Sequence, residues 1–248
     1  MAAWEHLRGM EHVSFCDWPG RICCVLFFGG CNLRCPTCHN AGLAWNKELF
    51  PVVPRDEILD YLSRRKSWLE GITITGGEPT LVPGLSDFFA ELKTLGLAVK
   101  MDTNGQRPDV VRDLLSAGLV DVFAVDVKGP WHKYPALTGG MARADRAEEN
   151  LNQIFDLARQ FKGAFYFRTT FVPALTGRDI KAVRRVLPPG FDLTIQSYVP
   201  PGGTYAQTDS KEGRLPGDMV PGPDSERGVQ GLKGQRHQGP APLQAAGA

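Results

Sequence analysis

The sequence predicts an α/β fold built on a parallel sheet, and three observations carry the prediction. Short apolar runs recur along the chain, amphipathic stretches long enough to cross a sheet separate them, and polar or glycine-rich pieces follow the runs at their C-terminal ends. Parallel strands need long crossovers, and a parallel α/β fold assembles its site at the C-terminal strand ends.

In chain order, strands are predicted over residues 22–28, 71–75, 98–101, 120–127, 165–171 and 191–195. Between them, "RDEILDYLSRRKSWL" puts Ile58, Leu59 and Leu62 on one helical face. "LSDFFAELKTLG" does the same with Leu85, Phe88, Phe89 and Leu92 before a glycine cap at Gly96. "PDVVRDLLSAG" repeats the design with Val110, Val111, Leu114 and Leu115 between Pro108 and Gly118. "AEENLNQIFDLARQF" aligns Leu151, Ile154, Phe155 and Ala158, and Ile180, Val183 and Leu187 suggest a last short helix. This alternation suits a doubly wound sheet and an incomplete barrel equally.

At 248 residues, 42% hydrophobic and 22% charged, the chain has the composition of an ordinary globular protein. Its formal charge of +1 contains no long block of one sign, so neither nucleic acid nor an anionic membrane is an expected partner. The opening "MAAWEHLRGMEHVSFCDWPG" has no apolar signal core and no apolar run is long enough to span a bilayer, so a cytoplasmic address is expected. From residue 206 to 248 there is no Phe, Tyr or Trp while Gly and Pro recur. A folded domain over 1–205 and a flexible tail over 206–248 are therefore expected.

All six cysteines fall early: Cys16, Cys23, Cys24, Cys31, Cys35 and Cys38. That is unlike the distributed framework of a small secreted disulfide protein. Cys31, Cys35 and Cys38 have the spacing C-x3-C-x2-C in a loop that Gly29 and Gly30 allow to turn after the first predicted strand. Three thiolates can hold three irons of a 4Fe-4S cluster and leave the fourth open to a ligand. A structural zinc would instead need a fourth ligand, for which His39 is the neighbour, and unligated thiols are the third reading. Cys23 and Cys24, on adjacent strand positions, point to opposite faces and read as buried free thiols.

Five strand ends then fall into line: "TGGEPT", "DTNG", "DVK", "RTTFVP" and "QSYVP". Together with "CNLRCPTCHN" they resemble the radical S-adenosylmethionine superfamily, and within it the glycyl-radical-enzyme activating proteins. The early "SFCDWPGRICCVLFFGGCN" is similar to the start of the compact activators of anaerobic ribonucleoside-triphosphate reductase. The resemblance runs from about His12 to Pro201 and implies a partial (β/α)6 barrel with the cluster beside its mouth. It implies Cys31, Cys35 and Cys38 as ligands of one 4Fe-4S cluster whose fourth iron takes S-adenosyl-L-methionine. It further implies Gly76, Gly77 and Glu78 near the methionine amino group, Lys128 and Arg168 near its carboxylate, and Asp102, Thr103 and Asp126 around a monovalent cation. Gln196, with Ser197 and Tyr198, would close the adenosine side. Two departures stand out: "QSYVPPG" where some relatives carry a histidine, and Thr37 where many have an aromatic residue before the last cluster cysteine.

The function so implied is reductive cleavage of S-adenosylmethionine to a 5'-deoxyadenosyl radical that installs a glycyl radical on a partner enzyme, with anaerobic ribonucleotide reductase as the expected partner. No extra cysteine-rich module is present, so an external low-potential electron donor is expected. The alternatives are a radical enzyme acting on a small molecule or peptide, and a zinc-stabilised interaction module. "WHKYPALTGG", residues 131–140, is expected to be a lateral loop that could meet a partner.

Overall fold

The computed structural model describes residues 2–200; the expected domain end near 205 and the tail at 206–248 lie outside the described residues. Seven strands form one sheet in the order of the sequence: β1 (Leu7–Ser14), β2 (Cys23–Phe28), β3 (Gly71–Gly76), β4 (Ala98–Thr103), β5 (Val122–Asp126), β6 (Phe165–Phe171) and β7 (Leu193–Ser197). Strands β2 to β7 are parallel neighbours, and β1 runs antiparallel beside β2. A doubly wound sheet reverses its strand order at a switch point. This order never reverses, so the sheet is wound one way, and the architecture is the partial (β/α)6 type.

The crossovers are α1 (Ala41–Trp45) and α2 (Arg55–Arg65) before β3, α3 (Leu85–Lys93) before β4, and α4 (Pro108–Ser116) before β5. Then α5 (Tyr134–Leu137) and α6 (Ala144–Gln160) precede β6, and α7 (Gly177–Val186) precedes β7. The period of two in each strand separates two faces. Leu26 and Phe28 of β2, Ile74 of β3 and Met101 of β4 join the apolar sides of the helices, such as Leu62, Phe89 and Leu114, in one large core. The opposite face holds a much smaller cluster of Trp18, Cys23 and Val25 with Phe27, Ala98 and Val122. Gly71 makes that plug possible, because a Cβ there would lie 2.6 Å from the Trp18 ring. Cys23 and Cys24 are both buried and fall into different clusters.

The structure departs from the sequence reading in three places. Strand β1 was not expected: only its end residues Leu7 and Ser14 are buried, and its register slips twice against β2, so no alternation survives in "LRGMEHVS". The strands expected at 120–127 and 191–195 occupy Val122–Asp126 and Leu193–Ser197. Residues 131–140 are no simple lateral loop. They form a short 3-10 turn (Trp131–Lys133) and α5, with Tyr134 fully buried and its hydroxyl accepting the backbone N–H of Lys128 at 3.1 Å.

Trp18→Ala is expected to lower the free energy of unfolding by roughly 3–5 kcal/mol. Urea unfolding would show a lower midpoint at unchanged slope; a loss under about 1 kcal/mol would mean the indole is not a packed part of the barrel.

Candidate active site

The cysteine loop leaves β2 and is held by backbone and side chains on every side. Gly30 N–H donates to Leu43 O at 3.1 Å, Arg34 N–H to Thr138 O at 3.1 Å, Trp45 Nε1–H to Leu33 O at 3.0 Å, and Asn104 Nδ2–H to Asn32 Oδ1 at 2.7 Å. The α5 segment therefore buttresses the loop, and Gly139 lets it come close: its φ is +65°, and a Cβ there would meet Arg34 O at 2.3 Å. Cys31 Sγ accepts the backbone N–H of Leu33 at 3.3 Å. Burial pushes the Cys31 thiol up to about 11 and raises Cys35 and Cys38 as well; the positive charge of Lys128 acts in the opposite direction on all three.

The glycines of "GGEP" serve the chain's own close approach. Gly76 has φ +114°, and a Cβ on Gly77 would lie 1.9 Å from Gly30 O. The backbone instead donates from Gly77 N–H to Phe28 O and from Glu78 N–H to Gly30 O, each at 2.8 Å, while Asn40 Nδ2–H reaches Gly76 O at 3.0 Å. This clamps the end of β3 onto the entry to the cysteine loop. Glu78, 1% exposed, is wholly engaged. Its Oε1 accepts Thr80 N–H at 3.1 Å, Thr80 Oγ1–H at 2.5 Å and Thr103 Oγ1–H at 2.8 Å, and its Oε2 accepts Asn104 N–H at 2.8 Å. Burial raises its pKa, and these four hydrogen bonds pull against that rise. The carboxylate thus ties the β3 end to the β4 end.

Charged residues cross the barrel interior as one bonded chain. Lys100 pairs with Asp102 Oδ1; Asp102 Oδ2 pairs with Arg168 at 3.1 Å; Arg168 Nε donates to Asp126 Oδ1 at 2.5 Å; and Asp126 Oδ2 accepts Lys128 Nζ at 2.8 Å. The Asp126–Arg168 link follows from register, since the two are partners across β5 and β6. Burial opposes ionisation of Asp126, but Arg168 and then Lys128 outweigh it and hold the carboxyl well below the usual range. Burial likewise works against charge on Lys128 and Arg168, and the carboxylates override it and raise both.

These three constructions meet in one cavity of about 340 Å³, within the size range of small-molecule sites. Cys31, Cys35 and Cys38 line it together with Gly76, Gly77, Glu78, Asp102, Thr103, Asp126, Lys128, Arg168 and Gln196. Gln196 stands on the exposed rim, its Oε1 3.5 Å from Thr170 Oγ1, and Thr37 also faces the cavity. Leu33, Leu137 and Val172 supply apolar wall.

The Radical SAM superfamily model matches residues 25–187. The chain belongs to the radical SAM superfamily. It is 30% identical over 197 residues to the Methanocaldococcus jannaschii protein MJ1227, which is provisionally named a glycyl-radical enzyme activating enzyme; the match covers 78% of this chain and 80% of that one. It is 36% identical over 104 residues to the pyruvate formate-lyase-activating enzyme of Staphylococcus aureus, covering 40% and 41%. Among solved structures, SuiB of Streptococcus suis superposes with a TM-score of 0.52 at 17% identity, over 69% of this chain and 38% of SuiB. A radical SAM methyltransferase from Sphaerobacter thermophilus gives 0.52 at 14%, over 75% and 57%. The chain thus spans well under half of SuiB and of the S. aureus enzyme, and the solved structures bear on fold alone. Membership places this chain among proteins that generate a radical from S-adenosylmethionine.

Of the six cysteines, the three of the loop share one cavity. Among the described residues no group of three or more His, Cys, Asp or Glu side chains is gathered closely enough to hold a metal ion as it stands, although the three loop thiols line that cavity together. Cys16 is exposed, Cys23 and Cys24 are buried in the two apolar clusters, and none of them lines it. His39, the candidate fourth zinc ligand, also lines the cavity; its Nε2 lies 2.6 Å from Val199 O, and because a carbonyl only accepts, Nε2 carries the proton. No helix among the described residues is long and apolar enough to cross a membrane.

Sequence reasoning missed Lys100 and the bracing role of Tyr134. Lys100 had a readable signal: a lysine inside an apolar strand, two positions before Asp102 and hence on its face. Tyr134 had none, because its partner is a backbone N–H supplied by another element. The monovalent cation expected among Asp102, Thr103 and Asp126 meets carboxylates whose oxygens are already paired within the chain.

Glu78→Gln is expected to cost roughly 1.5–3 kcal/mol, since it removes charge-assisted bonds from buried donors, and denaturant unfolding measures it. The sign for Asp126 follows from its lowered pKa: its stabilisation is present above the unfolded carboxyl value and is lost as pH falls through the folded one. The stability gap between the wild type and Asp126→Asn should therefore stay constant from about pH 5 to pH 9 and narrow only below about pH 4. A gap that changes near neutrality would contradict the ion chain.

Proposed function

We propose that the chain is an activase that installs a glycyl radical on a partner enzyme. The observation that carries the reading is the cavity itself: three thiols without a fourth share its wall with strand-end glycines, four carboxylates, a lysine and an arginine. The relative provisionally named for glycyl-radical enzyme activation, matched over most of both chains, supports the same class.

Cys31, Cys35 and Cys38 would hold a 4Fe-4S cluster, and the Leu33 N–H on Cys31 Sγ would tune it. When bound, the cluster supplies one electron and an open iron, and S-adenosylmethionine supplies the 5'-deoxyadenosyl radical that takes the hydrogen. Gly76 and Gly77 let the cofactor's amino end approach the backbone. Lys128, more open than Arg168 at 28% side-chain exposure against 14%, is assigned to its carboxylate, with Arg168 behind it. Glu78 acts as a positioning residue, because its oxygens are occupied by Thr80, Thr103 and Asn104. Gln196 would close the adenosine side from β7. The hydrogen taken is that of a backbone glycine, so no side chain needs to serve as base.

Anaerobic ribonucleoside-triphosphate reductase is the partner proposed, on the likeness of "SFCDWPGRICCVLFFGGCN" to its activators; the S. aureus relative makes pyruvate formate-lyase the competing partner. An external low-potential donor would reduce the cluster.

Anaerobic reconstitution should yield iron with acid-labile sulfide, and cofactor cleavage on reduction; about one zinc without sulfide would sink the reading in favour of a zinc module. Cys35→Ala should abolish cleavage while the circular dichroism spectrum remains. A glycine-centred doublet in electron paramagnetic resonance, on one candidate enzyme and not the other, identifies the partner. Cleavage without any such signal would point to a small-molecule or peptide substrate.

A further inference from the structure

Lys100 has no task in the proposed chemistry. It lies within β4 with 0% exposure, on the same face as Asp102. A buried ammonium stays charged only when it is paired, and its partner is Asp102 Oδ1. The ring of Tyr166 lies 5.9 Å away. The remaining oxygens of the two interior carboxylates are taken in turn: Asp102 Oδ2 by Arg168, Asp126 Oδ1 by Arg168 and Asp126 Oδ2 by Lys128. Three cations thus serve two carboxylates. The ends of the chain differ, for Lys128 lines the cavity, whereas Lys100 is sealed beneath it.

A metal ion bound to such carboxylates would be the largest local charge and would set the electrostatics of the site. Here every oxygen of Asp102 and Asp126 already faces a cation fixed by the fold. We propose that Lys100 is a built-in counter-ion: it supplies Asp102 with the positive charge that Na+ or K+ would otherwise bring, so ligand binding in this cavity is independent of alkali-metal ions. Lys100 is a positioning residue, since it touches Asp102 and not the ligand. Holding Asp102 in place fixes Arg168, which in turn fixes Asp126 and leaves Lys128 directed at the cavity. For its ligand the inference rests on the S-adenosylmethionine reading above.

The test compares the full-length wild type with Lys100→Met, which keeps an unbranched side chain, one heavy atom shorter, and removes its charge. Thermal unfolding is followed in KCl, NaCl and choline chloride at equal ionic strength, together with thallium NMR as a probe of alkali-ion binding. The wild type should melt alike in all three salts and give no saturable thallium signal. Lys100→Met should be stabilised selectively and saturably by K+ or Na+ and should bind thallium. In cluster-reconstituted protein, its affinity for S-adenosylmethionine should fall roughly tenfold in choline chloride and recover in KCl. Alkali-ion dependence of the wild type overturns the proposal, and so does a folded Lys100→Met that no alkali ion stabilises. If Lys100→Met does not fold, the wild-type salt series and thallium titration still decide. Failure of the reconstituted wild type to bind S-adenosylmethionine in any salt would instead count against the functional reading, and the salt series on the protein alone would still judge Lys100.

Discussion

A carbonyl oxygen, Gly30 O, stands 1.9 Å from where a side chain at residue 77 would begin, and much of the site depends on that approach. It brings the end of β3 onto the entry to the cysteine loop, where Gly77 N–H and Glu78 N–H close two backbone hydrogen bonds. Any residue larger than glycine would drive the two strand ends apart, because backbone cannot yield as the tip of a flexible side chain can. From this clamp the rest propagates. Glu78 is carried to where it joins Thr80, Thr103 and Asn104, and Asn104 reaches on to Asn32 beside Cys31. The cysteine loop is thereby located relative to β3 and β4 by a continuous run of hydrogen bonds.

A second constraint is electrostatic. Carboxylates and cations buried in a barrel interior are costly unless each is answered. The chain from Lys100 through Asp102, Arg168 and Asp126 to Lys128 answers every one, and no buried side-chain nitrogen or oxygen among the described residues lacks a partner. Breaking one link exposes the next, so these residues form a unit and not a set of independent ligand groups. The unit also explains how a polar cavity can open above an apolar floor: Trp18, Cys23 and Val25 fill the base on the same sheet face, and the ion chain occupies the levels nearer the strand ends.

Much of this was legible in the residues. Apolar runs and helical periodicity located six parallel strands to within a few residues, because β2 to β6 are largely buried on their helix side and the longer helices have one apolar stripe; β7 buries only Leu193. The spacing of Cys31, Cys35 and Cys38 and the polar strand ends marked the residues that line the cavity. Strand β1 was not legible, since an edge strand with two register slips keeps no period. Nor was the place of residues 131–140, whose sequence reads as a surface loop but whose Tyr134 and Thr138 brace Lys128 and Arg34.

By itself, then, the sequence determined which polar residues and thiols stand at the strand ends, for these follow from local spacing and the two-residue period. Tertiary structure alone decided what each residue is bonded to. It tied Glu78 to Thr103 and Asn104, bound Asp102 to a lysine on its own strand, and paired His39 with Val199. The reason is that hydrogen-bond and ion partners here join residues as far apart as 160 positions, and only the one-way winding of the sheet brings them together.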